Sequence, residues 1–457
     1  MLTISSMGLA NAVAQRVCSI QPTAVSQEAC LAAKSHLLDC LGLTIAGSSS
    51  DRVRRASAVD GVPDPVVILS LACSALGLDD FDEATRAHPG AMIVPALLVG
   101  AAGARRPVSG KRLATALVIG YELIAWLGAA MDARHMHPRG RHPSAVLGVP
   151  SVAVAAAWLA ELDERAVAAA LGIASGFSFG LTQFDEQEDL RALQTAAAAS
   201  AGLRAARFAA AGFSASPQAL EGAGGLLGGD TSRVLPVDGI GTIPSAVELA
   251  SFKPYPHFSD LHSLVAALLS AFNGASADIG QIVVIRAFLT EEAASRLYEG
   301  PVVNVKQAKR SAAFVLAFTL RSITQGGPDI RVPFTEADVV DPHTQALSNL
   351  VEVRTTNPAS HAGSAVATVE ITLANGRSLT ATSTGYPGDG RDRQLRWSLA
   401  EARERFALMV GSGVQRRNMV DAALRLADRL DTSNDIRDDA RTLVRELAAL
   451  GGGGAAK

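Results

Sequence analysis

The chain has 457 residues, with 41 Lys or Arg against 44 Asp or Glu and a formal net charge of −3 at pH 7. That length can bury large cores in two or three domains, and basic residues scattered through a near-neutral chain exclude the electrostatic footprint of a nucleic-acid binder. Only 5% of residues are aromatic while alanine is abundant, so the cores have to be built from closely packed helices rather than large rings.

The first residues, Met1 to Met7, carry no basic run ahead of an apolar core, so no secretory signal is expected and the location is read as cytoplasmic. From Ser26 to about Phe213, long apolar segments broken by short polar turns predict helices, giving an all-helical domain over 1–252. Cys18, Cys30, Cys40 and Cys73 fall near the start without a C-x-x-C pair, which suits reduced thiols, and their spacing fits no iron-sulfur cluster. Pro143 to Ala160 and Ala166 to Phe184 are uncharged and long enough to cross a bilayer. Their Ala, Gly and Ser content and the short gap between them predict buried helices of a bundle instead, with no membrane partner. Gly172, Gly176 and Gly180 recur every fourth residue and predict one helix face open to close backbone approach.

The pattern changes after Lys253-Pro254-Tyr255-Pro256. Gly280 to Ile285, Leu350 to Val353, Ala365 to Leu373 and Ser378 to Ser383 read as strands, the last two joined through Asn375-Gly376, so an α/β domain is expected over 253–394. Ser398 and Glu401 form a capping box ahead of helices at Ala402 to Val410 and Val420 to Leu430, within a C-terminal helical segment 395–450. Residues 451–457 are expected to be a disordered tail, and no internal repeat is visible. The fold class is therefore a large all-helical domain with a smaller α/β domain (α + α/β).

The chemistry concentrates in Leu78 to Gly90, where Asp79, Asp80, Asp82 and Glu83 precede His88-Pro89-Gly90 between apolar segments. A carboxylate and an imidazole held between buried helices make an acid/base pair. Asp80 reads either as a base, as the group that orients His88, or as a carboxylate that merely stabilises a helix start. His88 is a donor aimed into a cavity or a structural residue at the turn. His142 follows His135, His137, Arg139 and Arg141, and with Asp132 the sole carboxylate nearby this group is not read as a metal site. Lys253, between Phe252 and Pro254, reads as a carboxylate clamp or proton donor, or as an exposed linker lysine.

Six stretches in order resemble the MmgE/PrpD family, which includes 2-methylcitrate dehydratase. They are Asp39 to Gly47, Asp80-Phe81-Asp82-Glu83 with His88-Pro89-Gly90, Gly120-Tyr121-Glu122, Gly140-Arg141-His142-Pro143-Ser144, Phe252-Lys253-Pro254-Tyr255-Pro256 and Arg405-Phe406. The resemblance implies C-terminal helices that return to the first domain and a homodimer formed through the helical domain. It also implies a catalytic set of Asp80, His88, His142 and Lys253 at the domain interface. Three positions depart from the family pattern. Arg191 stands where many members have lysine, Phe314 where tyrosine is expected, and Ala84 near an expected threonine, for which Thr85 compensates; Arg191, Thr85 and Phe314 are assigned to substrate binding. The expected activity is a metal-independent carbon-oxygen lyase, a dehydratase without a cofactor, acting on a small di- or tricarboxylate by α-proton abstraction. An epimerase of iminodisuccinate type, a cis-aconitate-type decarboxylase and a non-catalytic carboxylate-binding or scaffold protein are the alternatives.

Overall fold

Small side chains decide how this chain packs. In the computed structural model, which describes residues 8–59, 64–183, 188–241, 245–272, 279–325, 329–356, 366–411 and 417–452, two compact units form, Met1–Ser251 with Trp397–Lys457 and, separately, Phe252–Arg396. The chain is mostly helical, with one small mixed sheet.

The first unit runs through α1 (Leu9–Ser19), α2 (Gln27–Gly47), α3 (Asp51–Ser57), α4 (Pro65–Ser74), α5 (Gly90–Ala102), α6 (Gly110–Ala130), α7 (Pro143–Leu159), α8 (Glu164–Phe177), α9 (Glu188–Ala210) and α10 (Ala246–Leu249). Helices start where a short polar side chain satisfies amides that have no partner within the helix. Ser26 accepts from the Ala29 amide, Asp64 from Val66 just ahead of Pro65, Ser109 from Arg112 and Asp163 from Ala166. The α7 segment is buried along its whole length and packs on α5, α6, α8 and α9. The second uncharged run ends sooner than expected: α8 stops at Phe177, and 178–183 is non-helical with a bridge from Leu181 to Arg141. Gly180 therefore lies outside the helix, where a Cβ would sit 2.4 Å from that of Ala145; within α8 the close approach is at Gly172, 2.6 Å from the Ala215 Cβ, and among the described residues a Cβ at Gly176 would meet nothing within 4 Å. Two helices, α2 and α6, are long and apolar enough to cross a membrane, and their apolar windows are mostly buried within the protein.

The second unit contains α11 (His262–Phe272), β1 (Ile282–Thr290), α12 (Glu291–Ala294), α13 (Val305–Ala308), α14 (Ala312–Gln325), α15 (Glu336–Val339), α16 (Pro342–Ser348), β2 (Val351–Thr356), β3 (Ala367–Leu373) and β4 (Ser378–Ser383). The sheet order is β2-β1-β3-β4, with β1 parallel to β2 and antiparallel to β3, which pairs antiparallel with β4. Pairing Ile285 with Val351 and with Ile371 sets the register. On β3, Ala367, Val369, Ile371 and Leu373 are buried and the residues between them are half-exposed, the alternation of a sheet covered on one face. Helix α11 packs on β3 and β4, and α14 on β2. The first strand starts at Ile282 rather than Gly280 because Ile279–Gln281 forms a 3₁₀ turn. Among the described residues, the α13-to-α14 region and Phe334 build an aromatic cluster. Phe314 stacks on Phe318 at 6.2 Å and meets Phe334 edge-on at 5.4 Å.

The chain then re-enters the first unit through α17 (Leu399–Val410), α18 (Arg417–Asp428) and α19 (Arg437–Gly452). The Ser398–Glu401 capping box opens α17. Helix α17 packs on α2, where Gly42 leaves room for Phe406; a Cβ at Gly42 would lie 2.9 Å from the Phe406 ring. Gly451 and Gly452, expected in a disordered tail, extend α19, and the remainder of that tail lies outside the described residues.

Phe314 is 0% exposed, so the hydroxyl introduced by Phe314→Tyr enters an aromatic core. An unsatisfied buried hydroxyl costs roughly 1–3 kcal/mol. The variant is expected to unfold at lower urea concentration than the parent, and an unchanged midpoint would show that the new hydroxyl finds a partner.

Candidate functional site

The segment from Leu78 to Gly90 is fixed at both ends. Phe81 exchanges two backbone hydrogen bonds with Ser251, both 2.8 Å, and the chain then turns back so that the Asp82 amide donates to Ala87 O at 2.9 Å. The turn is closed by Asp82, whose Oδ1 accepts from the Ala84 amide at 2.8 Å, and by Arg86, which takes a left-handed conformation at φ 62. Burial pushes the Asp82 carboxyl up, against its bonds from Ala84 and Thr85. Thr85 is 1% exposed; its hydroxyl accepts from the Ala87 amide, and its methyl fills the space that Gly128 leaves on α6. Thr85 thus braces the turn.

The turn brings Asp80 and His88 together, through the Asp80 main chain. His88 Nδ1 lies 2.8 Å from the Asp80 carbonyl oxygen. A carbonyl only accepts, so Nδ1 carries the hydrogen and a neutral imidazole presents its lone pair on Nε2. The Asp80 carboxylate turns the other way. Its Oδ1 accepts from the Gly90 amide at 2.8 Å, and its Oδ2 accepts from the Tyr121 hydroxyl at 2.5 Å and lies 3.1 Å from His36 Nδ1. Gly90 opens α5, so the carboxylate also faces the positive end of a helix. A Cβ there would lie 2.9 Å from Asp80 Oδ1, which only glycine avoids. On His88, Nδ1 is also 3.1 Å from Asp79 Oδ2, and the ring tilts against Phe81 at 5.4 Å between centroids.

His142 precedes α7, is 2% exposed, and donates its amide to Gly180 O at 3.2 Å. Its pKa is held well below the usual imidazole range by burial first, then by the positive fields of Arg191, His88 and His137. Arg191, near the start of α9, and His88 both act electrostatically on this buried imidazole; the His88 amide donates to Ser144 Oγ at 3.1 Å, and the His137 ring lies 6.1 Å from that of His142. Of the residues named from the sequence, Asp80, His88, His142 and Arg191 all belong to the first unit, and Asp80 and His88 are in direct contact. Sequence reasoning had not named Asp79 as a site residue, nor Tyr121 and His36 as the structural partners that anchor Asp80.

Lys253 belongs to the second unit, where it is buried rather than an exposed linker residue. Its charge acts on His257 and His262, both buried. Burial and, after it, Lys253 lower His257 to about 3, and burial, His257 and Lys253 hold His262 well down. The His262 ring meets Tyr386 at 4.8 Å, His257 at 4.9 Å and Tyr255 at 5.7 Å. Two histidines within ten residues of Lys253 were the available sequence signal for this cluster. Phe314, expected to bind substrate, is part of the core described above.

Cys40 and Cys73 place their sulfurs 3.1 Å apart in the interior, and Cys40 reaches Gly90 O at 3.6 Å. All four cysteines are free thiols, and the Cys40 contact, then burial and nearby Asp79 and Asp80, raise Cys73 well above the usual thiol range. Among the described residues no group of three or more His, Cys, Asp or Glu is placed to hold a metal ion.

Residues 63–229, the stretch that carries Asp79, Asp80, His88, His142 and Arg191, match the sequence profile of the MmgE/PrpD N-terminal domain. Over this stretch the chain is similar to the MmgE/PrpD family. It is similar to the Aspergillus oryzae protein named cis-aconitate decarboxylase-like protein oryM, at 33% identity over 144 residues, which is 30% of this chain and 30% of that protein. The MmgE/PrpD motifs have physical tasks in this chain. In Gly-Tyr-Glu, Gly120 makes room for Ile93, Tyr121 holds Asp80, and Glu122 accepts from Ser245 Oγ at 2.5 Å and from the Ala246 amide at 2.7 Å. Asp39 of the early helix faces Arg405 of the late Arg-Phe pair at 3.4 Å, and the same arginine donates to Leu78 O at 3.1 Å.

Burial drives the Asp39 carboxyl from 3.8 up to about 6, against Arg405 and with Asp80 adding to the rise. An acid with a higher pKa folded than unfolded keeps its proton in the fold over a window where the unfolded chain has lost it. Its contribution to stability is therefore fully present below the unfolded value of 3.8 and is lost as pH rises through about 6. Asp39→Asn should flatten the fall in unfolding free energy across that window, read from urea titrations at several pH values. A slope equal to the parent's would assign the pH dependence elsewhere.

Proposed function

We propose that this chain is a carbon-oxygen lyase that dehydrates a small di- or tricarboxylate, with His88 as the base. The observation that supports it most is the fixed Nδ1 of His88 on the Asp80 carbonyl, 2.8 Å away, which leaves Nε2 to take an α-proton. Proton removal beside a carboxylate creates a dianionic enediolate, which needs fixed positive charge and hydrogen-bond donors around it. Arg191 supplies a two-pronged carboxylate partner that stays charged. His142, kept neutral by its surroundings, acts as a hydrogen-bond donor to the departing hydroxyl rather than as an imidazolium. Lys253 is proposed as a second carboxylate clamp. Elimination expels the β-hydroxyl as the C–H electron pair forms the double bond, and the abstracted proton leaves with it as water.

A second reading, decarboxylation, is favoured by the name of the Aspergillus oryzae relative. There a C–C bond breaks, CO₂ leaves, and a proton is delivered to the carbanion. Both readings are tested by incubating the protein with 2-methylcitrate, citrate and cis-aconitate in deuterated water, following alkene absorbance, CO₂ and deuterium uptake. Alkene formation without CO₂ is expected from the hydroxy acids, falling at least about 100-fold in His88→Ala. In Lys253→Ala, the main loss is expected in substrate affinity. CO₂ release from cis-aconitate would establish the second reading, and inversion with exchange but no alkene would establish an epimerase. Absence of all these products would overturn the enzymatic assignment.

We also propose that the protein works as a cytoplasmic homodimer. The helical unit leaves Phe179 70% and Phe213 61% exposed, with Phe177, Leu193 and Phe208 also exposed on or beside α8 and α9. Large apolar side chains in water favour burial against a partner surface. Light scattering at micromolar concentration should give twice the monomer mass of 47.2 kDa, and a monomer mass would contradict it.

A further inference from the structure

Two adjacent carboxylates lie beside the proposed base, and their contacts differ. Both oxygens of Asp80 are taken by the fold: Gly90 N–H on Oδ1, the Tyr121 hydroxyl on Oδ2, and His36 3.1 Å from Oδ2. Only its backbone carbonyl reaches His88. Asp79 is 1% exposed and sets Oδ2 3.1 Å from His88 Nδ1. Residues 79 and 80 lie in non-helical backbone ahead of the Phe81 bridge, and their carboxylates meet different partners.

We infer that Asp79 is the positioning residue that pairs with His88 in the proton transfer, and that Asp80 is the anchor that fixes the loop. This rests on the proposed function in taking His88 as the base. A carbonyl oxygen can select the Nδ1–H tautomer, but it carries no net charge to balance the imidazolium that forms when Nε2 takes the proton. A carboxylate does both. The charged and titratable groups around His88 are Asp79 and Asp80 from its own loop and His142 from the start of α7. Arg191 of α9 acts electrostatically on His142. Asp79 is thus the negative charge in contact with the ring.

The test sets Asp79→Asn against Tyr121→Phe. Asp79→Asn keeps shape and removes charge, and its amide N–H₂ competes for Nδ1. The expected loss in kcat is about 10- to 100-fold, smaller than for an imidazole with a single orienting carboxylate because the Asp80 carbonyl still selects the tautomer. KM should stay within about 2-fold, the pattern of an interaction made in the transition state. Tyr121→Phe removes a donor to the anchor and should lower the thermal midpoint while folded protein keeps kcat within about 3-fold, since the other two Asp80 contacts remain. Nitrogen-15 spectra of histidine-labelled protein, assigned with His88→Gln, read the His88 tautomer without substrate. The parent should show Nδ1–H, and Asp79→Asn should shift part of the population to Nε2–H. That measurement decides Asp79 even if no polycarboxylate is turned over, so failure of the dehydratase reading and failure of this one are separable. If Asp79→Asn does not fold, Asp79→Ala serves for the same spectra and kinetics. Unchanged tautomer and kcat in the Asp79 variant would overturn the inference. A kcat collapse in well-folded Asp80→Asn with Asp79→Asn fully active would overturn it as well.

Discussion

A single buried carboxylate organises the helical unit around the proposed site. Asp80 ties the first amide of α5 to the Tyr121 hydroxyl of α6 and faces His36 of α2, so three helices share one negative charge. Burying a carboxylate is costly unless donors compensate it, and these contacts supply that compensation. Because the same residue offers its main-chain carbonyl to His88, the electrostatics that stabilise the interior also set the orientation of the imidazole. Position and packing at this point are one constraint.

The electrostatic design around His142 is different. His142 sits among groups that oppose its protonation, with burial the strongest, and it reaches that state by being the first turn's neighbour on an uncharged helix. An imidazole kept neutral and a guanidinium that stays charged divide the work of meeting an anionic substrate, one through a directed N–H and the other through charge. Arginine at 191 in place of lysine preserves the charge and gives up easy proton donation, which leaves proton delivery to other groups.

Much of this was legible in the sequence because the patterns were local. The helix start at Ser398 followed from capping chemistry, and β4 began and ended where alternation and Asn375-Gly376 placed it. The overlong helix expected to Phe184 failed because lack of charge marks burial, while helix termination depends on local turns: 178–183 leaves the helix and pairs instead with the segment before His142. Asp79 was passed over because adjacent aspartates are equivalent as letters and become distinct only once each carboxylate meets its own partners. His36 and Tyr121 were invisible as site residues because each is an ordinary interior position on a long helix until another helix delivers Asp80 to it. Phe314 shows the converse. A residue substituted for an expected tyrosine drew attention as chemistry, and the surrounding rings make it a core residue of the second unit.

The helical unit is written in two pieces, 1–251 and 397–457, with the 145 residues of Phe252–Arg396 between them. Arg405, which faces Asp39 and caps Leu78 O, and Phe406, which fills the space over Gly42, arrive with the second piece. At about 5–20 residues per second of synthesis, the early helices wait roughly seven to thirty seconds with that seam open. During that interval a buried aspartate lacks its counter-ion and an apolar groove on α2 lacks its occupant. Completion of the helical unit is thereby tied to completion of the chain, so a ribosome that stalls within the α/β unit releases a product whose proposed catalytic loop has no Arg405 bracing Leu78 at its entrance.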